Sequence, residues 1–171
     1  MHRSVPYILA VTVGTLAALA AAAADNADKE HAELAKALAA AKVSLEGGLS
    51  AAGATGKPIS AKFEVEGGRL QLSIYTEKDG KFSEVAVDYV SGKVAKSEPI
   101  TAGEDLSAAK SQSGAMAKAK LPLSAAVAKA VSANAGYHAV SVFPSLKDGR
   151  PVAEVSLHKG GDWRTTIEKL D

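Results

Sequence analysis

The sequence predicts an α+β protein made of two tandem repeats, each an alanine-rich helix or helix pair packed on a three-stranded antiparallel β-meander. Three observations carry this expectation. Helix-forming alanine-rich stretches are followed by short runs of alternating apolar and polar residues, set apart by glycine turns, the pattern of a meander covered by helix. The same order of elements then recurs: Ser44 and Gly56 return as Ser124 and Gly136 after 80 positions, Gly68 as Gly149 after 81, and Val87-Asp88 as Leu170-Asp171 after 83. A slow drift of this kind is what small insertions at turns produce. Finally, the chain has no cysteine, so each unit must stand on packing, and a thin single-repeat core implies lobes that support each other.

The N-terminus reads as a leader. Met1-His2-Arg3 is followed by an uncharged run from Val5 to Ala24 through Ile8, Leu9, Val11, Val13, Leu16 and Leu19. A basic start, an apolar centre and a small-residue end predict a signal peptide over residues 1–24, cut near Ala24-Asp25. The protein is therefore expected to be secreted or periplasmic, with no stable membrane insertion after leader removal. An uncleaved anchor is the competing reading, since about 20 apolar residues span a bilayer; Gly14 and the alanine-rich end favour cleavage. The lack of cysteine excludes disulfides, thiolate metal sites and a lipid-modified cysteine at the cut. Lys and Arg number 20 against 19 Asp and Glu, and loss of the leader removes Arg3, so the balance points to no nucleic acid and no anionic surface as partner.

The expected lobes are 25–96 and 113–171, joined by a linker over 97–112 in which a helix begins near Glu104 or Asp105. Asp28 to Lys42 is built of strong helix formers with Leu34 and Leu38 on one face. Ser44 is placed to cap a second helix carrying Leu45 and Leu49, with Gly47-Gly48 weakening it. Ile59 to Val65 and Leu70 to Ile74 alternate about Gly67-Gly68, and Lys78-Asp79-Gly80 turns the chain into a third strand holding Val85 and Val87. In the second lobe a helix from Ser124 to Ala135 precedes strands near Val140 to Phe143, Val152 to Leu157 and Trp163 to Leu170. The expected core comprises Phe63, Val65, Leu72, Ile74, Val85, Val87, Val140, Val142, Val155, Leu157, Ile167 and Leu170.

The run from Asp79 to Val94, with its Asp-Gly turn, Val-Asp strand end and Ser-Gly-Lys-Val, resembles the end of a PepSY domain. The resemblance covers Ser44 to Val94 and again Ser124 to Asp171, without the final turn. It implies an exported, non-catalytic helix-and-sheet module that binds other extracellular or envelope proteins, restraint of a peptidase being one form of such binding.

Candidate chemistry is sparse. His31, His138 and His158 show no spacing that pairs two of them on a helix face or hairpin position beside an acid, so no metal ligand is assigned. No Gly-x-Ser-x-Gly elbow occurs, and no catalytic residue or cofactor site is assigned. Gly67-Gly68 and Gly160-Gly161 fit hairpin turns better than phosphate loops. Asp88 and Asp171 fit carboxylates that accept amides of a following turn better than an acid–base pair. Trp163 and Arg164 remain as candidate protein-binding residues, being of the types that dominate binding hot spots and lying at the start of the last strand. That strand has a free edge to which a partner's extended segment can add. The expected function is protein binding rather than catalysis; the alternative is a periplasmic small-ligand or metal-binding protein using the cleft between the lobes.

Overall fold

The computed structural model describes residues 28–171, and the expected signal peptide lies outside the described residues. Residues 28–38 form α1, after which the chain turns into α2 (Leu45–Ala52). Ser44 caps α2, its hydroxyl accepting from the Gly47 amide at 3.2 Å. Four strands follow, β1 (Lys57–Glu66), β2 (Arg69–Lys78), β3 (Lys81–Val87) and β4 (Val94–Ile100). Then come α3 (Gly103–Lys118), α4 (Leu123–Ala133), β5 (His138–Lys147), β6 (Arg150–Lys159) and β7 (Asp162–Lys169). No helix among the described residues is long and apolar enough to cross a membrane.

The class is α+β, but the two separate three-stranded meanders are corrected. All seven strands join one antiparallel sheet in the order β4-β3-β2-β1-β5-β6-β7. The join is β1 with β5, through Ala61↔Val142 and Lys62↔Ser141. Within the expected linker over 97–112, the helix expected near Glu104 or Asp105 is α3, which begins at Gly103, whereas residues 97–100 finish a strand, β4, that lies outside the expected elements. β4 escapes sequence reading because its side chains are almost all exposed, so no alternation marks it. As an edge strand it tolerates Pro99, since one side of an edge strand makes no ladder bonds.

Both faces of the sheet are covered. On one, α2 packs on β1, β2 and β3 while α4 packs on β5, β6 and β7, and the two helices touch each other. On the other, α3 packs on β5, β6 and β1. Tyr75 places it there: it is cross-strand from Ser60 and Glu84, points away from the side of Ile74, and donates to Asp105 of α3 at 2.8 Å. Burial, and next the Asp105 carboxylate, push the Tyr75 phenol well above its ordinary range. α1 reaches this second face as well, since its His31 stacks on Trp163.

Strand alternation accounts for the core under α2 and α4. Leu72, Ile74, Val85, Val142, Val155 and Leu157 are fully buried, with Phe63, Val87 and Val140 nearly so. Two expected members differ. Val65 is half-buried near the end of β1. Ile167 is 49% exposed while Leu170 is fully buried, because residues three apart on a strand point to opposite sides. The inward positions of β7 are Thr166 and Glu168, opposite Val155 and Ala153.

The halves share local geometry. Each first strand carries a bulge, between Pro58 and Ser60 in β1 and between Ala139 and Ser141 in β5. The amides of Lys42 and Val43 both donate to the Tyr89 carbonyl, and those of Lys120 and Leu121 both donate to the Leu170 carbonyl. Gly67-Gly68 turns β1 into β2 with positive φ at both residues, as Asp148-Gly149 turns β5 into β6. One expected correspondence needs correcting: α4 begins at Leu123 with Pro122 as its N-cap, so Ser124 lies inside the helix and does not cap it. Leu45, Leu49 and Ala52 then match Leu123, Val127 and Ala130, all buried.

Candidate functional site

The best-formed site lies at the end of the sheet where β5 begins and β6 finishes, and two features meet there. The first is a set of rings and charges around the start of β7. The β5–β6 hairpin pairs residues about the Asp148-Gly149 turn, and the bulge at Val140 shifts the register by one, so His138 faces His158. His158 in turn faces Trp163 across β6 and β7. The Trp163 ring lies 4.7 Å from that of His158, and His31 of α1 stacks on it at 4.3 Å and 15°. Two of the described histidines therefore meet on one tryptophan, and the third, His138, lies opposite His158 on the neighbouring strand. Sequence spacing hid this because the bulge sets the hairpin register and the His31 contact comes from a distant helix.

The histidines are tied into the fold. His158 Nε2 accepts from the Gly161 amide at 3.1 Å, which requires that nitrogen to be unprotonated. Burial, and then the neighbouring His138, lower the His158 pKa. Among the described residues no group of three or more His, Cys, Asp or Glu is placed to hold a metal ion.

Trp163 and Arg164 are adjacent, but alternation sends them to opposite faces of β7. Trp163 is half-buried against the core, while Arg164 holds its guanidinium carbon 4.4 Å over the Tyr137 ring and sits 3.6 Å from Asp162. The Tyr137 hydroxyl donates to Asp162, and this bond, followed by burial, raises the Tyr137 pKa against the opposing pull of Arg164. Lys159 approaches the same ring at 5.6 Å and donates to the Ala135 carbonyl at 3.3 Å. Tyr137 is thus flanked by two cations, an arrangement favoured by the negative face of an aromatic ring. Beyond this cluster, β7 runs along the sheet edge with Ile167 exposed.

The second feature is a cleft of about 870 Å³ between α1, the start of α2, the end of α4 and the strand ends. Its walls come from both halves of the chain: Leu38, Val43 and Phe63 from the first, Val131, Ala139 and Val140 from the second. Its polar lining is Lys42, Ser44, Glu46, His138, His158 and Lys159.

The two aspartates do not form a pair. Asp88 accepts from the amides of Ser91 at 2.6 Å and Val90 at 3.1 Å, and these bonds, that from Ser91 first, hold its carboxyl below the usual range. Asp171 follows β7 on the opposite edge of the sheet, beside Arg150 at 3.9 Å.

No known protein family matches the chain, and neither does any curated protein or solved structure.

Proposed function

We propose that the protein is an exported, non-catalytic interaction module of PepSY type, built of two repeats, that captures an extended segment of a protein partner along β7. The observation that carries the reading is the edge position of β7 with Ile167 49% exposed on it. An edge strand offers backbone donors and acceptors for strand addition, and an exposed apolar side chain gives the incoming strand a contact beside those bonds. β4, the other edge, is the weaker candidate, because Pro99 lies in it and Lys96 pairs with Glu98 along it, both devices that discourage edge pairing.

The repeat reading rests on the matched bulges, the matched pairs of amides on Tyr89 and Leu170, and the matched hairpin turns. Trp163 and Arg164 flank the proposed binding edge, the first holding α1 through His31 and the second presenting charge near Tyr137. An envelope or extracellular protein is the proposed partner, and restraint of a peptidase is one outcome such capture would have.

A photo-crosslinking residue placed at Ile167 and, separately, at Val94 tests the reading in cells of the source. Crosslinks to one defined protein from position 167, lost on Thr165→Pro and absent from position 94, support it. Crosslinks from position 94 alone, or none from either, refute capture along β7.

A further inference from the structure

The cleft at the sheet end has a chemistry that the edge-strand reading leaves unused. Leu38, Val43 and Val131 line it while only partly buried, each pressed on the core by one side and open to the cleft by the other. Phe63 and Val140 form its floor. At about 870 Å³ it falls within the range of small-molecule sites, which are mostly apolar with a few polar groups that fix orientation. Those polar groups are unbalanced in charge. The ammonium groups of Lys42 and Lys159 stand against one acid, Glu46, and the facing imidazoles of His138 and His158 add ring nitrogens for hydrogen bonding. Neither Lys42 nor Lys159 has a carboxylate within ion-pair distance among the described residues. Lys159 instead donates to the Ala135 carbonyl, which keeps its ammonium at the cleft.

An apolar interior with a cationic lining selects a ligand that is itself divided. We propose that the cleft binds a single-chain amphipathic anion, a fatty carboxylate of medium length, with its chain against Leu38, Phe63 and Val131 and its headgroup toward Lys42 and His138. A neutral alcohol of the same length gains only the chain contact. An alkylammonium of the same length meets like charge. The site is built from both halves of the chain, so it forms only when the halves are docked, and it is independent of strand capture at β7.

The test is calorimetric titration of the protein with decanoate below its micelle concentration, with decanol and decyltrimethylammonium as comparators. Saturable one-to-one binding of decanoate, at least about tenfold tighter than either comparator, is expected. Val131→Trp fills the cleft and abolishes binding, with a thermal melt to verify that it folds. Lys42→Glu combined with His138→Glu places acids at two exposed positions beside the headgroup and weakens decanoate by at least about tenfold; if Val131→Trp does not fold, this variant decides. Failure of decanoate to saturate, equal binding of decyltrimethylammonium, or undiminished binding by the folded variants overturns the proposal.

Discussion

The two helix–sheet contacts on the core face solve one packing problem with different volumes. In the first half α2 carries Gly48, and a Cβ there would lie 2.7 Å from Leu72 Cδ2, so the helix sits close and leucine fills the space from the sheet. In the second half the matching helix position is Ala126 and the matching sheet position is Ala153, both buried. The third strands differ as well. Val85 and Val87 present an apolar surface to α2, whereas β7 turns Thr166 and Glu168 inward, with Glu168 paired to Lys129 of α4 at 2.9 Å. The first half therefore depends more on close apolar fit, and the second tolerates polar groups under its helix.

The largest expected effect follows directly from that fit. Leu72→Ala removes a fully buried side chain beneath the closest helix approach and should cost about 2–5 kcal/mol, read from urea unfolding. An unchanged midpoint would mean that α2 does not rest on Leu72. Gly48→Ala should destabilise by about 1–3 kcal/mol through overpacking, less about 1 kcal/mol regained as helix propensity. Combining the two changes imitates the Ala126 and Ala153 arrangement, so the double variant should be less damaged than the sum of the singles. Strict additivity would remove the claim that the glycine and the leucine are matched.

A smaller gain is expected on the other side. The Thr166 hydroxyl is buried and has no hydrogen-bond partner, at the β7 position opposite Val155 that corresponds to Val85 opposite Ile74. Thr166→Val should therefore stabilise by about 1 kcal/mol, seen as a higher melting temperature. A fall would show that the hydroxyl has a partner in solution.

The smallest effect concerns acid. The folded state lowers the His158 pKa from its ordinary 6.5, so it favours the neutral ring that accepts from Gly161. That contribution is complete above pH 6.5 and is lost as pH falls through the lowered folded value. Urea midpoints measured from pH 7.5 down to pH 5 should drop less in His158→Gln than in the parent. Parallel curves would assign the acid sensitivity elsewhere.

Much of the fold was legible because alternation and turn chemistry are local. Gly67-Gly68, Asp79-Gly80 and Asp148-Gly149 mark their hairpins, and Leu72, Ile74, Val85 and Val155 mark the buried side of their strands. What sequence reading missed depends on context. β4 is exposed on its own account and exists because β3 offers it an edge. The fusion at Ala61 and Val142 is a pairing between distant segments with no turn to announce it. Of the candidate site, Trp163 and Arg164 were visible as residue types. Their separation onto two faces, and the line of His138, His158 and Trp163 across the sheet, required the register of β5, β6 and β7, and the stacking of His31 required the docking of α1.

The seam between β1 and β5 has one further consequence. Its two paired positions are few beside the full ladders that join β1 to β2 and β5 to β6, and a bulge lies beside it on each strand. Amide protons at the middle of a sheet are ordinarily the last to exchange with solvent, because opening there requires global unfolding. Here the slowest exchange should instead fall in two separate blocks, one centred on β2 and one on β6, with a faster line between them at Ala61 and Val142. The molecule would then open along its centre before either block loses its own hairpin.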